Sequence, residues 1–185
     1  MIIALPFPAT LADLMKVEGK AELIGGRIVE LGMCGVLPSR IAGRVIRSMD
    51  ECVKRLYYGE VFSAGLIYTI NPPLTSNRQT FSPDVSFHAR PCRSDPMGPI
   101  EGSPDFAVEI RKFSGHEWDT EVAMAEKRAD YFEAGTLAVW DVDPLAETIA
   151  LHTPDSEHIF RPGDIAHAEP ALPGWTLDVS ALFAG

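Results

Sequence analysis

Along the chain, apolar positions recur first at helical spacing and then in alternation. Thr10 before Leu11-Ala12-Asp13-Leu14 reads as an N-cap and a short helix ending near Gly19. Two short alternating arms, Lys20–Ile24 and Arg27–Leu31, flank Gly25-Gly26 and predict a hairpin, with Glu22 in its first arm. From about Ser39 to Tyr57, Ile41, Val45, Met49, Cys52, Val53 and Leu56 fall three or four residues apart, the pattern of a long amphipathic helix. Beyond Gly59 the period changes to two. Strands are expected at Glu60–Ala64 and at Leu66–Ile70, the second stopped by Asn71-Pro72-Pro73.

The polar run Thr75–Thr80 reads as loop, and a strand opens at Asp84 just after Pro83, running to His88. Residues Ala89–Pro104, rich in Pro, Gly, Ser and Asp, predict a long mobile loop. Phe106–Arg111 is an apolar strand interrupted by Glu109. A helix follows from about Glu117 to Ala134, closed by Gly135. Leu137–Val142 is a further strand ended by Asp143-Pro144. Thr148–His152 with His158–Phe160 forms a hairpin, and Leu172–Leu177 and a helix near Ser180–Phe183 finish the chain. Helices and strands do not strictly alternate, so the expectation is an α+β (α/β-like) fold. It would have a central mixed sheet flanked by helices, as a single domain over residues 1–185.

Composition narrows the function. The 185 residues are 46% hydrophobic and 23% charged, enough apolar material for one sizeable core. No run of about 18 uncharged apolar residues exists, so no membrane span is expected. The N-terminus lacks the basic region and cleavage site of a secretory signal. Cys34, Cys52 and Cys92 form no CxxC pair, which fits reduced thiols in a cytoplasm. A formal net charge of −10 argues against coating nucleic acid by bulk charge but leaves room for a local basic groove.

Phosphate-loop, GxGxxG, GxSxG and HExxH patterns are all missing, and no two histidines stand four apart. The unusual feature is acidic. Glu109 lies in the middle of a strand otherwise fit for burial, where an ionised carboxylate must be paired or bound to metal. A strand with one solvated face would accommodate it equally. Asp84, after Pro83, stands at a sheet end or forms a turn. Twenty-five residues, mostly loop, separate the two acids, so neighbouring strands are feasible. Two such carboxylates can share a hard cation, Mg²⁺ or Mn²⁺. In the following helix Thr120, Met124, Lys127 and Tyr131 lie along one side, next to an apolar stripe of Val122, Ala125, Ala129 and Phe132. Lys127 therefore flanks the buried face and can deliver its ammonium to the end of the sheet, or else pair with Glu126, Asp130 or Glu133.

Taken together, these residues resemble the Uma family of restriction endonucleases (Uma-two type), within the PD-(D/E)XK nuclease superfamily. Six segments carry the resemblance in order: Ala21–Glu30, Ser82–Phe87, Pro104–Ile110, Lys127–Gly135, Val139–Pro144 and Leu172–Leu177. The resemblance implies a restriction-endonuclease-like core and metal-dependent hydrolysis of nucleic acid, DNA foremost, by a homodimer. It makes Asp84 and Glu109 the metal-holding acids and Lys127 the catalytic lysine, and beside it the Ile110 carbonyl is a candidate third ligand. Glu22 is then an additional acid, Tyr131 stands one turn beyond Lys127, and Arg111 occupies the place where most of the superfamily has its lysine. Arg111 and Arg78 are candidates to meet phosphate, or solvated surface residues. Lys112 points away from Glu109 by strand alternation. The chain departs from the family pattern at Arg111-Lys112-Phe113 and at Pro38-Ser39-Arg40. Two other readings stand beside this one. The first is a catalytically inactive nuclease-fold binding or assembly module. The second is a DxD metal site at Asp141 and Asp143.

Overall fold

The computed structural model describes residues 7–32, 34–56, 58–89, 95–112 and 121–184. Thr10 caps α1 (Leu11–Leu14), its side chain accepting from the Asp13 amide while the Asp13 carboxylate returns to the Thr10 amide. Gly25 and Gly26, at φ +55° and +69°, turn β1 (Ala21–Ile24) into β2 (Arg27–Glu30). The long helix α2 (Val36–Leu56) starts three residues before the expected Ser39. Pro38 then sits in its first turn, where the missing N–H would have had no helical partner. Its inner stripe is buried as expected, except that Leu56 is exposed. Tyr57 lies outside the described residues.

The chain continues through β3 (Glu60–Ser63), β4 (Tyr68–Thr69), β5 (Thr80–Phe81), β6 (Val85–His88), β7 (Ile100–Glu101) and β8 (Phe106–Ile110). Then come α3 (Glu121–Glu133), β9 (Ala138–Asp143), β10 (Thr148–Thr153), β11 (Ser156–Phe160), β12 (Ile165–Ala168), β13 (Leu172–Asp178) and α4 (Val179–Phe183). Three short pieces depart from the expectation. The run Leu66–Ile70 is extended only at Tyr68–Thr69, the polar stretch ends in β5, and the Pro/Gly-rich segment holds β7. All three strands have two residues and pair with one another in the order β5-β4-β7. A strand of that length shows no period in sequence. β12, also unexpected, pairs with β13. Residues 90–94 of the expected loop and 117–120 of the expected helix lie outside the described residues.

The central sheet has six strands in the order β11-β10-β9-β8-β6-β3. Every pair is antiparallel except β8 with β9, whose parallel register demands a crossover, and α3 lies on it. The expected mixed sheet with flanking helices is therefore what forms. Alternation along β8 decides what each face does. Phe106, Val108 and Ile110 pack with Ile41, Val45 and Met49 of α2 and with Trp140 and Trp175. Ala107 packs with Tyr131 of α3 and Val139 of β9. Each fully buried Val, Ile, Met or Phe among them contributes about 1.5–3 kcal/mol. Trp140 and Trp175 stand 5.0 Å apart, and Trp175 donates to Ser48 Oγ at 3.1 Å, so the β12–β13 arm is fastened over α2 and the sheet. Glu109, two residues after Ala107, falls on the α3 side of the sheet.

Candidate active site

Pro83 delivers the chain to β6 so that Asp84 lies against the end of β8. The Asp84 amide donates to the Val108 carbonyl at 3.0 Å, and its Oδ2 accepts from the Ile110 amide at 2.9 Å. Asp84 and Glu109 are 6% and 7% exposed, so neither is the solvated surface acid that each alone allowed. Glu109 Oε1 accepts from the Tyr131 hydroxyl at 2.7 Å and lies 2.9 Å from Lys127 Nζ. The same ammonium stands 2.9 Å from Glu22 Oε1, which also accepts from the Ser82 amide at 2.9 Å. Asp84, Glu109, Lys127, Glu22 and Tyr131, from three strands or strand ends and one helix, thus meet in one place.

The helix presents a different side from the one its apolar stripe favours. Met124, Lys127, Asp130 and Tyr131 are buried, whereas Val122, Ala125 and Ala129 face outward, Val122 being 69% exposed. Ion pairing outweighs the stripe: Lys127 reaches two carboxylates, and Asp130 accepts from Arg78 Nε at 2.6 Å. Tyr131 stacks on Phe81 with ring centres 4.2 Å apart and planes 14° apart, which fixes the hydroxyl that holds Glu109. Lys127 pairs with Glu22 and Glu109 rather than with its helical neighbours.

Two lysines that sequence reasoning did not place in the site complete it. Lys20, just before β1, puts its ammonium 2.6 Å from Asp84 Oδ1 and 4.0 Å from Glu109 Oε2. Lys112 lies 3.4 Å from Asp84 Oδ1. Strand alternation pointed it away, but β8 ends at Ile110, so alternation no longer governs its direction. Arg78 is buried and paired with both Glu22 and Asp130, not a surface or phosphate-facing residue. Its guanidinium backs the acids of the site. A cavity of about 40 Å³ is lined by Lys20, Glu22, Asp84, Glu109, Lys112 and Lys127, among others. Lys20, Asp84, Ile110 and Lys112 also border a groove of about 540 Å³ against Pro38, Ala42 and Gly43 of α2.

The electrostatics follow from that crowding. Burial works to raise the Glu22 carboxyl, but Lys127 and Arg78 outweigh it and hold it at about 2. Burial likewise opposes ionisation of Asp84, and Lys20 and Lys112 lower its pKa in spite of it. Lys127 is pushed down by burial and raised by Glu109 and Glu22, with a net upward shift, so it stays an ammonium. Burial first, and Glu109 second, push the Tyr131 hydroxyl well above its ordinary value, and it acts as a donor.

Arg111 lies elsewhere. Its guanidinium grips Asp141 with two bonds, Nε to Oδ1 at 2.8 Å and Nη2 to Oδ2 at 2.7 Å, and Glu121 at 2.6 Å. Arg128 adds to the same clamp, 3.2 Å from Asp141 Oδ2. This overturns the DxD alternative: Asp141 is held by two arginines, while Asp143 Oδ1 accepts from the Leu145 and Ala146 amides at 2.9 Å as a turn former. Among the described residues, no group of three or more His, Cys, Asp or Glu side chains converges to hold a metal ion. The Asp84–Glu109 pair is a two-carboxylate set. Its hard oxygens are of the kind that suits Mg²⁺ or Mn²⁺, and the Lys20 ammonium lies on their shared side.

The comparisons agree with this architecture. A crystal structure from Anabaena variabilis ATCC 29413, "a putative nuclease belonging to DUF820", superimposes with a TM-score of 0.74 at 20% identity, covering 95% of this chain and 98% of that one. At that identity the likeness speaks for the fold. No curated protein matches the chain. Residues 9–180 match the family Uma2, "Putative restriction endonuclease". With the match running from before α1 into α4, the chain belongs to the Uma2 family.

Proposed function

We propose that the protein is a metal-dependent endonuclease that hydrolyses phosphodiester bonds in nucleic acid, with DNA as its substrate. The observation that carries this reading is the convergence of Asp84, Glu109 and Lys127 on one cavity that adjoins an open groove. Asp84 and Glu109 would hold Mg²⁺ or Mn²⁺, with the Ile110 carbonyl as a further oxygen donor. An ion held there would supply Lewis-acid polarisation of a phosphoryl oxygen and acidify a nearby water. Lys127, kept protonated by Glu109 and Glu22, stabilises charge on the phosphoryl oxygens or orients the attacking water. Tyr131 fixes the rotamer of Glu109, and Glu22 with Arg78 fixes Lys127 from behind. Lys112 adds positive charge at the rim, where phosphate would approach. The reading carries with it a homodimer, two-fold assemblies being the commonest kind, working in a cytoplasm.

The test is cleavage of mixed DNA and RNA substrates in Mg²⁺ or Mn²⁺ by wild type, Asp84→Ala and Glu109→Ala. Each variant is expected to lose at least about a thousandfold in rate, roughly 4 kcal/mol of barrier. Retained cleavage by Asp84→Ala would sink the mechanism. One observation favours the inactive binding module instead: Lys20, Lys112, Lys127 and Arg78 already neutralise the buried acids around the cavity. A folded wild type that binds metal and cleaves neither nucleic acid would support that second reading.

A further inference from the structure

Each of the two acids has one oxygen tied into the protein frame and one turned toward the same point. Asp84 Oδ2 takes the Ile110 amide at 2.9 Å, and Glu109 Oε1 takes Tyr131 at 2.7 Å and Lys127 at 2.9 Å. Asp84 Oδ1 and Glu109 Oε2 instead face the Lys20 ammonium, at 2.6 and 4.0 Å. Lys20 differs from Lys127 and Arg78, and shares with Lys112 a place at the groove. Lys127 is held between Glu22 and Glu109, and Arg78 between Glu22 and Asp130, whereas Lys20 borders the open groove of about 540 Å³ as well as the small cavity. It follows Gly19, at φ +102°, around which a Cβ would meet nothing within 4 Å. A lysine is a point charge on a flexible stem, so it can leave this position into the groove without dismantling a bidentate grip.

We infer that the Lys20 ammonium occupies the cation position of the Asp84–Glu109 pair, and that a divalent ion binds there only by displacing it, so that Lys20 sets the metal affinity of the site. This rests on the metal-site reading above and goes beyond it by assigning the competitor. Without Lys20, the two inward oxygens keep their negative charge and meet an incoming ion without having to release an ammonium. The metal then gains the attraction that wild type spends on its own side chain. Lys112 gives an internal comparison. It is 3.4 Å from Asp84 Oδ1, also donates to the Leu31 carbonyl at 3.4 Å, and is the more weakly engaged of the two lysines that face Asp84.

The experiment is Mn²⁺ binding to the full chain, followed by the loss of the free-ion electron paramagnetic resonance signal and by calorimetry. The proteins compared are wild type, Lys20→Met, Lys20→Gln, Lys112→Met and Asp84→Asn. Both Lys20 variants are expected to bind Mn²⁺ roughly tenfold or more tightly than wild type, with Lys112→Met changing less. The Mn²⁺-induced rise in Tm should likewise be larger in the Lys20 variants, which rules out a gain caused by unfolding. Equal or weaker binding by folded Lys20→Met and Lys20→Gln, with binding still lost in Asp84→Asn, overturns the competition and leaves the metal site standing. Absence of Mn²⁺ binding in every protein overturns both.

Discussion

Glu109 and Asp141 are register partners on adjacent parallel strands, both buried on the side of the sheet that α3 covers, yet they are held in opposite ways. Asp141 is gripped by the Arg111 fork and by Arg128, with Glu121 closing the far side. Glu109 meets two lysines and a tyrosine, each through a single contact, beside a cavity. Planar guanidinium forks match a carboxylate edge to edge and leave it no free direction. Ammonium groups neutralise charge while leaving the carboxylate oxygens available to another cation. The contrast separates a structural clamp from a site able to exchange its cation, although the two acids are neighbours of the same chemical kind.

The comparison breaks most visibly at Asp141. Asp141→Asn should cost about 3–5 kcal/mol in a urea unfolding midpoint, because Arg111 and Arg128 lose their buried partner. Its Mn²⁺ affinity should stay within about twofold of wild type, since among the described residues the side-chain hydrogen bonds and ion pairs of Asp141 go to Arg111 and Arg128 and none is shared with Asp84, Glu109 or Lys127. A large drop in Mn²⁺ affinity would show that the two regions are one unit.

Acid sharpens the contrast next. Glu22 is depressed from its ordinary 4.5 to about 2, so its stabilising effect is complete above the unfolded value and lost as pH falls toward 2. That loss is roughly 3 kcal/mol. Asp84 shifts in the same direction. Stability measured between pH 6 and pH 2 should therefore fall more steeply for wild type than for Glu22→Gln, and parallel curves would contradict the pairing. The smallest effect belongs to Tyr131→Phe. It keeps the stack on Phe81 but removes the 2.7 Å bond to Glu109, for about 1 kcal/mol. An unchanged thermal midpoint would mean that the hydroxyl contributes nothing to holding Glu109.

Much of the molecule was legible because its cues are local. Gly25-Gly26 between alternating arms, the three-and-four spacing of α2 and an acid inside the apolar run of β8 each fall within a few residues. Asp84 and Glu109 were visible because each breaks a local pattern. Lys20, Arg78 and Asp130 break none. A lysine before a hairpin or an arginine in a polar stretch is ordinary until the fold brings its partner from far away. Lys20 and Asp84 are 64 residues apart in sequence, and Arg78 and Asp130 are 52 apart. The two-residue strands β4, β5 and β7 were hidden for a related reason: their pairing is imposed by neighbours rather than by a period of their own. On α3 the apolar stripe pointed the wrong way, because charge pairing across the fold decided which side turned inward.

Those long sequence separations also govern how the molecule comes into being. The cavity is closed by β1, by the approach to β6, by β8 and by α3, and its ion pairs join residues that must wait for large chain loops to shut. Local hairpins and helices form within microseconds, whereas contacts of this span come together only with the global collapse. A chain still emerging from the ribosome can hold Glu22, Asp84 and even Glu109 without Lys127, and until α3 arrives the acids have no shared pocket to occupy. The cluster therefore cannot close until α3 has been made and brought onto the sheet.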